Sequence, residues 1–290
     1  MNNRVVRKHS GTLPSSAGNP IRYDLYAPQS ESGTLPVIIF LHGFKGFKDW
    51  GTFPDAFFEI ARQNFAVLAI NFSHNGIGDQ SDVFSELELF RTQTLSQELN
   101  DVKTVIEAVR NGRIGQTAGL HDMFPIGMIG HSRGGHTAVI AAAENDDVTC
   151  LVTWSAVADC MESWSESMIN DWKTSGVTEV LNSRTQQKMP IARQLYDEVE
   201  ANKSRFSARE RVKELYIPCL FIHGSADETV PHRSAQRLFE DCASYEKEKI
   251  LIEGANHTFG SVHPYNYDEL PAHFTEVVDQ TTRFFQTFLT

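Results

Sequence analysis

The sequence predicts an α/β fold, a mostly parallel, doubly wound sheet with helices on both faces, and three observations carry that expectation. Short apolar runs alternate with amphipathic stretches along most of the chain. The apolar runs are nearly continuous rather than alternating, which suits strands buried on both faces of a parallel sheet. The stretches between them repeat apolar residues at three- and four-residue steps, the period of a helix packed on that sheet.

The strand candidates are residues 37–41, 65–72, 126–129, 150–154, 219–222 and 249–252. Each is short, rich in β-branched or aromatic residues, and bounded by Gly, Pro or polar residues. Leu95, Leu99, Val102, Val105, Ile106 and Val109 form one helical stripe, and Phe274, Val277, Val278, Thr281, Phe285 and Phe288 form another. Residues 138–143 make a small-residue helix suited to close packing on a sheet. Segments 4–10 and 21–27 read as an antiparallel pair at one sheet edge. Between Ser155 and Leu215 no strand is expected. This stretch, with Trp164, Met168, Trp172, Met189 and Tyr196 among polar residues, reads as several short helices. The chain thus divides into a catalytic core, 1–156 and 213–290, and a helical cap insertion, 157–212. Insertions at the carboxyl ends of parallel strands sit over the usual ligand crevice.

Composition narrows the partners. The 290 residues carry 26 Lys+Arg against 37 Asp+Glu, a formal charge of −11. Phosphate affinity needs Lys and Arg, so generic nucleic-acid binding is not expected. No apolar run exceeds six residues, against the ~20 that a spanning helix requires, so no membrane span is expected. The first ten residues lack the apolar stretch of a secretory signal. Four scattered cysteines, Cys150, Cys160, Cys219 and Cys242, form no C-x-x-C pair, which points to a reduced, cytoplasmic setting. No phosphate loop, zinc-protease helix or dinucleotide fingerprint is present, so neither a cofactor nor a metal is expected.

The strongest motif is Gly130-His131-Ser132-Arg133-Gly134, which follows one strand candidate and opens a helix. A serine on such a tight turn needs neighbours without side chains two positions away, and Gly130 and Gly134 supply them. Its hydroxyl needs a base, and the base needs an orienting acid. Asp227 and His257 each follow a later strand, so both fall on the sheet edge that carries Ser132. The chain order Ser132, Asp227, His257 is the one expected for this fold. His223, His232 and His263 are competing bases and Asp159 a competing acid. His257 is preferred because it directly follows the last apolar strand, and Asp227 for its D-x-x-V-P context. His42-Gly43-Phe44-Lys45-Gly46 follows the strand at 37–41, and the backbone amides of Phe44 and Arg133 are the candidate oxyanion donors.

On these motifs the chain, from about Leu35 to the C-terminal helix, resembles the α/β-hydrolase superfamily. Within it, the H-G-F-x-G loop and the insertion before the acid strand resemble dienelactone-hydrolase-like and cinnamoyl (feruloyl) esterase-like carboxylesterases. The resemblance implies an α/β-hydrolase fold with a helical cap and cofactor-free hydrolysis of a small-molecule carboxylic ester through an acyl-enzyme. Ser132 stands where dienelactone hydrolases proper have cysteine. Phe44, His131 and Val230, with Trp164 and Met168 of the cap, are the expected substrate contacts, and Met161 and Trp172 are further pocket candidates. Arg133 and Lys45 are expected to place positive charge near Ser132. The alternatives are a prolyl-oligopeptidase-like serine peptidase and a non-catalytic binding protein that keeps the fold. Oligomeric state is not legible.

Overall fold

The computed structural model describes residues 5–29, 33–80 and 82–289. Its elements run β1 (Val6–Pro14), β2 (Pro20–Pro28), β3 (Val37–Leu41), α1 (Phe53–Arg62), β4 (Ala66–Asn71), α2 (Leu87–Arg91), α3 (Leu95–Arg110), β5 (Ile126–His131), α4 (Arg133–Glu144), β6 (Val148–Trp154), α5 (Glu166–Ser175), β7 (Val177–Leu181), β8 (Lys188–Ala192), α6 (Gln194–Ala201), α7 (Ala208–Arg211), β9 (Cys219–Gly224), α8 (Arg233–Asp241), β10 (Lys247–Ile252) and α9 (Ala272–Phe288). Eight strands form one sheet in the order β1-β2-β4-β3-β5-β6-β9-β10. From β4 to β10 all neighbours are parallel, while β2 runs antiparallel to β4 and β1 antiparallel to β2. The antiparallel pair at the edge is the one expected from 4–10 and 21–27, although Arg4 lies outside the described residues.

Side chains along each strand divide between two cores. In β3, Val37, Ile39 and Leu41 face one core, with the apolar stripes of α3 and α4, while Ile38 and Phe40 face the other, with α1 and α9. Burial on both faces is why these strands read as unbroken apolar runs. The far edge departs from that expectation. Strand β10 has a partner on one side only and exposes Glu248 and Leu251, so its apolar run is half solvated. Backbone pairing also carries β5 on through Gly130 and His131, which pair with Thr153 and Trp154.

The segment after β6 corrects the expectation of an insertion without strands. Besides α5 and α6 it holds an antiparallel hairpin, β7–β8, with Val177 opposite Ala192 and Leu181 opposite Lys188. The pattern was hard to see because Pro190 interrupts the run and Thr178, Glu179 and Lys188 dilute it. A two-stranded ribbon is all edge, where proline is tolerated. The alternation is real all the same: Met189 and Ile191 are buried while Lys188 is exposed. Trp172 is fully buried, donates from Nε1 to Ile191 O at 2.9 Å, and packs on Trp164 and Tyr196, extending the core shared with α3 and α4 into this segment.

Among the described residues no helix is long and apolar enough to cross a membrane. All four cysteines are free and buried.

Trp154 ties the sheet to the C-terminal helix. It is fully buried, and its Nε1 donates to Thr281 Oγ1 at 2.9 Å on the buried face of α9. Thr281→Val keeps the shape but leaves the indole N–H without a partner. It should lower stability by ~1–3 kcal/mol, read from the urea unfolding midpoint. An unchanged midpoint would show that this bond contributes nothing net.

Candidate active site

Because β3, β5, β9 and β10 are parallel, the loops after them meet at one sheet edge. Ser132 sits between β5 and α4 at φ 57°, ψ −121°, a conformation costly for any residue with a Cβ. Its amide donates to Trp154 O at 2.9 Å, which holds the turn against β6. A Cβ at Gly130 would overlap the backbone of Gly134, and one at Gly134 would overlap the carbonyl oxygens of Leu41 and His42. The loop after β3 is as close: a Cβ at Gly43 would come within 2.9 Å of Ser132 Cβ.

Ser132 Oγ lies 3.0 Å from His257 Nε2, and His257 Nδ1 lies 2.8 Å from Asp227 Oδ2. Asp227 Oδ1 accepts the amides of Thr229 and Val230, each at 2.9 Å. Burial opposes the Asp227 charge, but hydrogen bonds from His223 and His257 outweigh it and hold the carboxyl well below the usual range. The competitors lie elsewhere. Asp159 Oδ1 caps the next turn by accepting Met161 N. His263 Nδ1 accepts the amide of Gly51. His232 precedes α8 and is exposed. His223 does enter the site, as a second imidazole on Asp227.

On the opposite side of Ser132, His42 is buried with Nδ1 donating to Gly43 O at 2.9 Å, while Nε2 accepts from Phe72 N at 3.4 Å. This shapes the loop that presents Phe44. No hydrogen bond among the described residues uses the amide of Phe44 or of Arg133. The Arg133 amide belongs to the first turn of α4, where the helix dipole also favours negative charge.

A cavity of about 330 Å³ opens beside Ser132 and His257. Phe44, Val230, Trp164 and Met168 line it, as expected. His131 does not. It is buried beneath the site, where Nε2 donates to the His257 carbonyl at 3.1 Å, so it supports the base loop and is not placed to contact substrate. Met161 and Trp172 pack into the core instead. Leu95, Val180, Ile191 and Leu195 complete the apolar wall and were not foreseen. Leu95 starts the stripe of α3, and periodicity alone assigns it to the core.

A family model described as serine aminopeptidase, S33 (Hydrolase_4) matches residues 34–260. The chain belongs to this α/β-hydrolase family. A probable isoprenylcysteine alpha-carbonyl methylesterase of Arabidopsis thaliana is 24% identical over 259 residues, 82% of this chain. The chain spans about half of that protein, 54% of its length. The ferulic-acid-bound structure of Est1E from Butyrivibrio proteoclasticus superposes with a TM-score of 0.69 at 18% identity, covering 96% of this chain and 98% of that one. A dienelactone hydrolase from Anabaena variabilis gives 0.62 at 15% identity, covering 98% and 99%. At these identities the likeness to the solved structures is one of fold.

Of the positive charge expected near Ser132, that of Arg133 is met by a carboxylate. Arg133 Nη2 pairs with Glu98 of α3, and the other Glu98 oxygen accepts Thr137 Oγ1 at 2.7 Å. The Arg133 guanidinium also lies 5.2 Å from the Phe44 ring centroid. The Arg133 side chain therefore links the start of α4 to both α3 and the Phe44 loop. Lys45 Nζ donates to Leu181 O at 3.1 Å, joining the loop after β3 to the tip of β7.

Burial makes the fold of this hydrolase sensitive to acid. It depresses His42 and His136 to about 4 and His131 to about 3, against backbone hydrogen bonds that favour the charged ring. Between those values and ~6.5 the unfolded chain binds protons that the native state refuses, so stability falls as pH drops. Asp101 acts the other way. Burial pushes it up to about 6, so over that range the native state holds a proton that the unfolded chain releases. The histidines outnumber it, and each unopposed group contributes up to ~1.4 kcal/mol per pH unit. The urea midpoint should therefore drop between pH 6.5 and 4.5, and a flat or rising midpoint would contradict this assignment.

Proposed function

We propose that the chain is a serine carboxylesterase with Ser132 as nucleophile, His257 as general base and then acid, and Asp227 as the group that orients and stabilises the imidazolium. The observation that carries the reading is the hydrogen-bonded run from Ser132 through His257 to Asp227, set against two unused amides and an apolar cavity. His257 Nε2 takes the hydroxyl proton as Ser132 Oγ bonds to the ester carbonyl carbon. The carbonyl oxygen becomes an alkoxide between the amides of Phe44 and Arg133. His257 returns the proton to the departing alkoxide, and the alcohol leaves an acyl-enzyme. Water activated by His257 then releases the acid and restores Ser132. The Arabidopsis relative is named a methylesterase and the Butyrivibrio structure contains ferulic acid, and both fit a carboxylic ester as substrate. The insertion 157–212 acts as a cap whose Trp164 and Met168 meet the acyl group, with Phe44 and Val230 facing them. Sparse, unpaired cysteines fit a cytoplasmic setting.

The family description favours a second reading, an aminopeptidase. Such an enzyme must hold a free α-ammonium group, which calls for a carboxylate near the nucleophile. The described residues lining the cavity include no Asp or Glu, but do include Lys45 and Arg133. That lining offers an α-ammonium group no carboxylate, which favours the ester reading over the aminopeptidase one.

In assays with p-nitrophenyl esters, Ser132→Ala should lower kcat on the order of 10³-fold or more. Full activity in that variant would sink the assignment. Asp227→Asn should also cost orders of magnitude, whereas Asp159→Asn should leave the rate near wild type. Aminoacyl anilides should be poor substrates, and efficiencies matching those of the esters would favour the peptidase instead.

A further inference from the structure

Asp227 is met by two imidazoles, and the reaction outlined above uses only one. His223, on β9, is fully buried. Its Nε2 lies 2.8 Å from Val230 O and 3.1 Å from Asp227 Oδ2, the same oxygen that faces His257. Both neighbours are acceptors, so Nε2 carries the proton and shares it between them. Nδ1 is buried without a partner among the described residues. The geometry points to His223 as a positioning residue: its Nε2–H fixes the Asp227 oxygen that orients His257 and ties down the Val230 carbonyl of the same turn. This inference rests on the reading of Ser132 and His257 as nucleophile and base.

The arrangement gives each carboxylate oxygen a fixed anchor. Oδ1 is held by the amides of Thr229 and Val230. Without His223, Oδ2 would have only His257 itself, and the two could shift together. The Val230 carbonyl would lose its donor as well, and Val230 is part of the cavity wall. His223 also withdraws charge density from Oδ2. Its loss would make Asp227 a stronger acceptor for His257, favouring imidazolium and moving the acid limb of kcat/KM to higher pH. The other titratable group facing this cluster is His131 of β5, whose ring lies 5.0 Å from that of His257. Glu228, the sequence neighbour of Asp227, is exposed.

The test compares wild type, Ser132→Ala, His223→Leu and His223→Gln on p-nitrophenyl butyrate from pH 5 to 9. His223→Leu should lower kcat on the order of 10–100-fold with little change in KM. Its acid limb should rise by about half a pH unit or more. Glutamine can place an N–H near the position of Nε2, so His223→Gln should stay within about fivefold of wild type and return the acid limb. If wild type shows Ser132-dependent turnover but the leucine variant matches it in kcat and acid limb, the positioning role is wrong and the esterase reading stands. If glutamine is as poor as leucine, the donor role is wrong. A wild type without Ser132-dependent turnover overturns both readings. Should His223→Leu fail to fold, long-range ¹⁵N–¹H spectra of the wild type decide. An Nε2–H tautomer at His223 supports the role, and an Nδ1–H tautomer overturns it.

Discussion

Ser132 is held at φ 57°, and the room which that backbone needs governs the rest of the site. The turn lifts the hydroxyl above the sheet edge, but it does so by pressing the start of α4 against β3 and β5. At the closest points only glycine fits: Gly130 beneath Gly134, Gly134 beneath the carbonyls of Leu41 and His42, and Gly43 beside Ser132. A strained turn persists only where its surroundings over-determine it. Here the surroundings are the bond from Ser132 N to Trp154 O and the burial of α4 in the core. The strain at Ser132 is thus offset by packing across the middle of the sheet.

Polar groups around this turn are braced from below and from the side. His131, directly before the serine, donates to the His257 carbonyl, so the loop carrying His257 rests on β5. His42 fixes the loop that carries Phe44, and the Glu98–Arg133 pair ties the start of α4 to α3 while Arg133 lies over the Phe44 ring. These histidines are buried and neutral, which suits them to act as rigid hydrogen-bonding spacers. The same burial makes them a liability in acid, because each gains a proton on unfolding.

The sheet was legible because its strands are buried on both faces. The β7–β8 hairpin lacks that burial and Pro190 interrupts it, so it leaves no such run, whereas β10, half exposed at the edge, is still marked by the apolar residues of its second half. Strand ends were blurred for a related reason. β5 continues through Gly130 and His131 on backbone pairing alone, which leaves no apolar signature. In the site, Ser132, Asp227 and His257 stood out because the parallel topology forces loops after successive strands onto one edge. The role of His131 was misjudged because adjacency in sequence says nothing about which side of a pleated strand a residue faces. The pairing of Arg133 with Glu98 was invisible for a similar reason, since the partners lie 35 positions apart.

Sequence names only part of the cavity wall, Phe44, Val230, Trp164 and Met168, and the cause is geometric. Its apolar surface is assembled from the start of α3, the oxyanion loop, the acid turn, and the helix and hairpin of the insertion, none of which share a motif. Lys45 links two of these pieces through its bond to the carbonyl of Leu181. That tie couples the position of the hairpin to the loop presenting the Phe44 amide. Under the esterase reading, a substrate that displaces the hairpin also disturbs the oxyanion donor, so acyl shape is felt in the rate of the chemical step as well as in binding. Specificity in such a site is set by how the insertion seats on the core, a property of packed surfaces and not of any residue read singly.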